Sequence, residues 1–292
     1  MIEITNEFSF LSNNIIFRIA FPEYPVNLFV DHFVLMEGTP AGLDEKLFPN
    51  NKAEVFFNLG DDLKGRPHCS DQVFRLTESV LSGVRHTYFS FQPGKYLSMA
   101  GIRFTLFGFH HLFGVPAQHF TNQNFDATDV WGREMVERIR EQLLETQDAA
   151  GRIRVLHNWM FAKIQGVSLQ DMLKWKQVED KLYFQQVPIS SFLEKTIGYS
   201  HKHALQLIKE KSGLTPKTIQ KVGRFNRALR LLNRSQGINW ASLALDAGYA
   251  DQSHFIREFR HFTGYTPAAY LNDKPRIYRL NEQLEISSKA RG

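Results

Sequence analysis

Residues 244–267 read ALDAGYADQSHFIREFRHFTGYTP. Just upstream, Trp240 to Ala247 is rich in Ala and Leu, which favour helix, and Asn239 is suited to cap its start. Gly248 follows, where a residue free to adopt the left-handed conformation ends a helix at low cost. A second helix is predicted from about Asp251 to Phe262. Phe255, Phe259 and Phe262 recur at i, i+4 and i+7 and define one buried face, leaving His254, Arg257, Glu258 and His261 on the other sides. Thr266 is placed to cap a last short helix, with Pro267 at its first position. Helix, glycine turn and a second helix with a polar free face make the helix-turn-helix pattern, whose second helix enters the DNA major groove.

The pattern occurs a second time upstream. Gly198-Tyr199 precedes Gly248-Tyr249 by 50 residues, and Gly213-Leu214-Thr215-Pro216 precedes Gly264-Tyr265-Thr266-Pro267 by 51. Duplication at this period implies two copies of one supersecondary unit. In the upstream copy Pro188 to Ile197 reads as the supporting helix and Ser200 as the cap of the next. Ala204, Leu207 or Ile208, and Lys211 form the flank of that next helix. Between the copies, Pro216 to Leu232 reads as a linking helix. Val222, Phe225, Ala228, Leu229 and Leu232 are its apolar side, and Lys217, Lys221, Arg224, Arg227 and Arg230 line its polar sides. Those arginines face solvent, acids such as Asp246, or phosphate.

The stretch from Ala244 to Pro267 resembles the signature of the AraC/XylS transcription regulators almost position for position. The upstream copy and the linking helix match as well, so the resemblance spans roughly residues 175–273. It implies an all-α, seven-helix DNA-binding domain with two helix-turn-helix units on one face. Their recognition helices would enter successive major grooves of double-stranded DNA about 34 Å apart. It also implies RNA polymerase as a partner. Carried over position by position, the base-reading candidates are Gln252, Ser253, His254 and Arg257 in the second unit. In the first they are Lys202, Leu205 and Gln206. His203, Lys209, Lys217 and Arg260 fall to phosphate contact or support. Arg can hold guanine O6 and N7 with two bonds, and Gln suits adenine. The first unit departs from the family pattern. Ala204 and Ile208 stand where larger Leu and Phe are usual, Leu205 is apolar, and Gln206 replaces a common Arg. The second unit is therefore expected to carry more of the specificity, and the first to add affinity.

Charge and aromatic content divide the chain in opposite senses. Residues 1–180 hold 17 Lys/Arg against 22 Asp/Glu, a net −5, and residues 181–292 hold 18 against 8, a net +10. Clustered cations are what displacement of counterions from phosphate requires. Nineteen of the 25 phenylalanines lie before residue 180. There Ile15 to Phe21, Phe29 to Met36, Glu54 to Leu59, Thr87 to Phe91 and Leu97 to Phe104 read as strands between turn residues. Val130, Trp131, Met135, Ile139 and Leu143 then recur at helical spacing. Gly151 to Ile164 gives another helix, and Gly166-Val167-Ser168 a break. The predicted fold class is α+β, divided three ways. A β-rich sensor or regulatory domain with terminal helices spans 1–166, the DNA-binding domain 167–275, and a basic tail 276–292.

Phe91 to Gly114, with Arg103-Phe104 and Phe113-Gly114-Val115-Pro116, is similar to an uncharacterised N-terminal domain found on such regulators. An aromatic-rich β domain suits an apolar small-molecule effector. The Trp131 to Leu143 helix is expected to pack within this domain, with a homodimer contact as the alternative.

Other function classes find less support. No run of 18 uncharged apolar residues marks a membrane span, and Met1 to Phe10 does not read as a secretory signal, so the expected location is the cytoplasm. Cys69, the single cysteine, allows no intrachain disulfide or cysteine-built zinc site. His110, His111 and His119 have no carboxylate or thiol at ligand spacing, and adjacent histidines in a strand or loop point apart. No metal and no cofactor are expected. His68-Cys69 is adjacency rather than nucleophile–base geometry, and the chain is not expected to be an enzyme. Two rivals stay open. One is a DNA-directed alkyl-transfer enzyme using Cys69, and the other a nonspecific nucleoid binder.

Overall fold

The computed structural model describes residues 7–12, 14–40, 45–68, 73–184, 198–234 and 238–272. The front part is an antiparallel β-sandwich. Its strands are β1 (Glu7–Ser12), β2 (Ile15–Ala20), β3 (Val30–Gly38), β4 (Glu45–Leu47), β5 (Glu54–Asn58) and β6 (Leu63–Pro67). They continue with β7 (Phe74–Leu76), β8 (Ser79–Ser82), β9 (Phe89–Gln92), β10 (Leu97–Phe104) and β11 (Asn124–Phe125). One sheet runs β1-β2-β3-β10-β5-β8-β11, and the other β4-β9-β6-β7. All five expected strands form, with ends shifted by one or two residues. The short strands from Leu63 to Leu76 escape sequence reading because Lys64, Gly65, Arg66 and Pro67 dilute the apolar alternation.

The strand β10 lies at the centre of the larger sheet and is buried along its whole length. Its two faces belong to two cores. Leu97 and Met99 join Ile15, Phe17, Ile19, Leu63 and Leu76 between the sheets. Ala100, Ile102 and Phe104 join Phe33, Val55 and Phe57 on the opposite side, under helices. Those helices are α1 (Gly108–Phe113), α2 (Ala127–Trp131), α3 (Arg133–Glu145), α4 (Ala149–Ile164) and α5 (Leu169–Phe184). Ile153, Leu156 and Met160 of α4 form one fully buried stripe in that core. The apolar period from Val130 to Leu143 is divided, because Gly132 takes φ 83° between α2 and α3. Trp131 packs inside the domain, its ring centroid 4.6 Å from Phe113 and 5.3 Å from Trp159.

The C-terminal part is helical among the described residues: α6 (His201–Ser212), α7 (Pro216–Arg234), α8 (Trp240–Ala247), α9 (Gln252–Thr263) and α10 (Pro267–Asn272). The supporting helix expected from Pro188 to Ile197 lies outside the described residues. So do Cys69 and the basic tail 276–292. The core beneath α6 is not separate from that of the front part. Ala204, Ile208, Leu214 and Ile219 continue the cluster that holds Leu106, Phe120 and Trp175. A different cluster begins further along α7, where Val222, Phe225 and Leu229 meet Phe255, Phe259, Phe262 and Tyr270. Among the described residues no helix is long and apolar enough to cross a membrane.

Candidate nucleic-acid interface

The two units repeat in backbone as well as in sequence. Gly198 and Gly248, which precede the two recognition helices, have φ of 73° and 91°. Gly213 and Gly264, which end them, both have φ of 77°. These are left-handed positions that a side chain would strain. A hydroxyl stands before each closing glycine and fastens the turn. Ser212 Oγ donates to Ile208 O at 2.6 Å and accepts from Leu214 N at 3.2 Å. Thr263 Oγ1 donates to Phe259 O at 2.8 Å and accepts from Tyr265 N at 3.0 Å. Sequence reading missed this pair, although a hydroxyl residue ahead of Gly-x-Thr-Pro in both copies is a visible signal. Thr215 and Thr266 cap the helices that follow, each accepting at 3.2 Å from Thr218 N and Ala269 N.

The starts of the helices differ. Asn239 accepts from Ala241 N and Ser242 N, both at 3.1 Å, as its position before α8 led one to expect. Asp251 caps α9 by accepting from His254 N at 2.7 Å, so the helix begins one residue later than expected. Ser200 occupies the cap position of α6, but its side chain makes no capping hydrogen bond, contrary to expectation.

Gln252, Ser253, Arg257 and Arg260 are exposed on α9, and Lys202, His203, Gln206 and Lys209 on α6. Lys217 is exposed in the first turn of α7. Leu205 is half-buried and packs on the front core, which accounts for an apolar residue there. His254 is half-buried, with Nε2 3.6 Å from Glu258 Oε1.

Glu258 corrects an expectation. Placed by periodicity on the free side, it is 7% exposed. Its Oε1 lies 3.4 Å from Lys221 Nζ and 3.5 Å from Arg224 Nη2. The cationic side of α7 closes over this carboxylate, and buried charge needs such partners. Arg224 therefore pairs with Glu258 rather than Asp246, and its guanidinium also lies over the Tyr249 ring. Burial, with Glu258 nearby, pushes the Tyr249 hydroxyl well above the usual tyrosine range.

Lys221, His254, Arg257, Glu258 and His261 line one side of a cleft of about 560 Å³, and His86 of the front domain lines the other. Burial, then the nearby His86 and Lys221, holds the His261 imidazole below its usual range. His110 and His111 sit on α1 rather than in a strand or loop, and each Nδ1 bonds a backbone carbonyl, of Val115 at 3.0 Å and Phe107 at 2.8 Å.

Residues 193–273 match the family described as a helix-turn-helix domain, and residues 19–126 the domain of unknown function DUF6597. No curated protein matches the chain by sequence. Among solved structures, an apo variant of ToxT from Vibrio cholerae is similar at 13% identity. It covers 82% of this chain and 96% of that one, with a TM-score of 0.44. ToxT from the same organism with an unsaturated fatty acid bound is similar at 11% identity, covering 80% and 96%, with a TM-score of 0.41. Procruciferin, an 11S globulin of Brassica napus, is similar at 11% identity over 72% of this chain and 48% of that one, with a TM-score of 0.28. The chain thus joins a DUF6597 domain to a helix-turn-helix domain, the module of a DNA-binding regulator.

Proposed function

We propose that this protein regulates transcription by binding a bipartite DNA sequence, with α9 reading one half-site and α6 the other. The observation that carries this is the duplicated frame. Two helices bounded by left-handed glycines each present an exposed polar flank. In this reading Gln252, Ser253, His254 and Arg257 face bases in one groove, and Lys202 and Gln206 in the next. His203, Lys209, Lys217 and Arg260 meet phosphate. RNA polymerase is the partner on the promoter, and the cytoplasm the site of action.

Control by a small molecule is supported by the apolar lining between the two sheets, where a cavity of about 90 Å³ would have to widen to admit an effector. Leu47, Phe56, Phe74, Phe89, Phe91 and Met99 line it, with the Arg103–Glu54 ion pair at its edge. Its lining reaches the DNA-binding part in one residue. Leu47 faces the cavity, and Phe48 is buried against Phe225 and Tyr270. ToxT has been solved with a fatty acid and with a naphthalenyl-butenoic acid, and an apolar acid is the effector class to screen first. Dimerisation through the front domain is a second reading, favoured by Leu144 and Phe161 exposed on the neighbouring helices α3 and α4. A front domain that stays monomeric at high micromolar concentration would remove it.

Mapping the sites bound by the whole protein on fragmented genomic DNA tests the main reading. The expected result is a sharp two-part motif, retained by Cys69→Ala. Even coverage with steep salt dependence would instead mark a nonspecific nucleoid binder. Methyl transfer to Cys69 from alkylated DNA, seen as a mass gain, would mark the repair enzyme.

A further inference from the structure

The two recognition helices are rooted in different cores. Ala204 and Ile208 of α6 belong to the cluster that runs on from Met172 and Trp175 of α5 into Leu106 and Phe120 of the front domain. Phe255, Phe259 and Phe262 of α9 belong to the second cluster. The division falls within α7, between Ile219 and Val222. A single helix thus spans the two clusters, and a second set of contacts ties them from outside.

Those contacts come from three segments of the front domain. The connection from β8 to β9 touches the ends of both recognition helices. A Cβ built on Gly213 would stand 2.7 Å from Val84 Cγ2, and one built on Gly264 would stand 3.0 Å from the Tyr88 ring. Val84 and Tyr88 are four residues apart, and His86 between them lines the cleft beside Arg257. The end of α6 is fixed further by Thr121 Oγ1, which donates to Gly213 O at 2.9 Å. The segment from Lys46 of β4 to Asn51 grips the second unit and α7. Lys46 Nζ donates to Thr263 O at 3.4 Å and lies over the Tyr88 and Tyr265 rings, 4.5 and 4.0 Å from their centroids. Phe48 is 5% exposed within the second cluster. Asn226 Nδ2 donates to Pro49 O at 3.1 Å, and Asn51 Nδ2 to Ile219 O at 3.0 Å.

We infer that the front domain sets the separation and relative orientation of the two recognition helices. Tyr88 and Phe48 are then positioning residues that determine which half-site spacing the protein accepts. This rests on the DNA-binding reading above. On B-form DNA one added base pair shifts the second half-site by about 3.4 Å and turns it by about 35° around the duplex axis. Helices braced from outside cannot follow that movement, whereas helices joined through α7 alone can flex toward it.

The test measures affinity of the full chain for duplexes that carry its selected motif, at the selected spacing and with one base pair added or removed. Tyr88→Ala is the informative variant, because Tyr88 is half-buried and packs on the edge of the second cluster rather than within it, so the fold should survive its truncation. Wild type should prefer the selected spacing by about 100-fold or more, the equivalent of two or more lost base contacts. Tyr88→Ala should reduce that preference about 10-fold while leaving affinity for the isolated α9 half-site unchanged, and Tyr88→Phe should behave as wild type. Phe48→Ala should act in the same sense, read only if its circular dichroism matches wild type. Equal loss at every spacing, or no change, would overturn the inference while leaving DNA recognition intact. If wild type selects no two-part motif, the DNA-binding reading fails and this inference with it.

Discussion

Phe48 and Phe225 meet edge to face, ring centroids 6.1 Å apart and planes at 82°, although one comes from the β-rich part and the other from the helix that links the two units. An aromatic side chain lent across a domain boundary behaves as core of the domain that receives it. Phe48→Ala should therefore destabilise the second unit by about 3–4 kcal/mol, the usual range for emptying a buried aromatic site. Amide exchange should rise in α8, α9 and α10 while β10 stays protected. Equal loss of protection in both regions would show that the two parts unfold as one.

Arg257→Ala should weaken a cognate site by about 1–3 kcal/mol and relax base preference at one position. Gln206→Ala should cost less, because the half-buried Leu205 beside it packs on the first core and leaves this helix fewer polar groups for bases. Lys217→Ala should weaken all sequences alike and lower the salt slope by about 1. Competition binding at several salt concentrations separates the three. A larger loss for Gln206→Ala than for Arg257→Ala would reverse the assigned division of labour.

Glu258→Gln should move two properties in opposite directions. The variant leaves Lys221 and Arg224 without their carboxylate. Both are partly exposed, so they relax toward solvent and the cost in stability is about 1–2 kcal/mol. Nonspecific DNA binding should tighten, with a steeper salt dependence, because cations once held by Glu258 become available to phosphate. Thermal melts and titrations with random-sequence duplex check the two effects.

Asn239→Ala and Asp251→Ala should each cost about 1 kcal/mol, the usual worth of a helix N-cap. Ser200→Ala should cost much less, since its side chain makes no capping hydrogen bond. Urea midpoints of the three variants give the comparison. A Ser200→Ala cost equal to that of Asn239→Ala would contradict the cap geometry.

Acid should destabilise the protein before most carboxylates titrate. Burial holds His32, His111 and His157 below the ordinary histidine value of 6.5. Their folded pKa values lie below the unfolded ones, so the unfolded chain binds more protons as pH falls. Stability is then complete above about pH 6.5 and declines below it. Urea midpoints between pH 7.5 and roughly pH 5 should fall accordingly. His157→Phe, among the neighbouring rings of Phe33 and Phe161, should flatten the slope.

The second unit was legible because every level agrees there. Phe255, Phe259 and Phe262 give the helical period, Gly248 and Gly264 the turns, and Asn239 and Thr266 the caps. Glu258 was misplaced because helical periodicity ranks positions by their own helix alone, and here the neighbour α7 supplies the cations that bury it. Gly132 split a helix because apolar spacing counts residues without regard to backbone freedom. The role of Phe48 was invisible for a different reason. It is one more phenylalanine in an aromatic-rich half, and only the chain path carries it into the other core. Ser212 and Thr263 were readable in principle, as an aligned hydroxyl in the duplicated stretch, and were overlooked beside the larger glycine and proline signals.

The division of α7 between two cores bears on how such a protein could be taken apart or recombined. A fragment trimmed to residues 193–273 would lose the part of the cover over Ala204, Ile208, Leu214 and Ile219 that Leu106, Phe120 and Trp175 belong to. A transplant of these helices onto another sensor would inherit the same loss of cover. Neither unit is free of the front part: α6 shares a core with Leu106 and Phe120, and the helices from Val222 onward take Phe48 into theirs, so both are best exchanged together with the domain that packs on them.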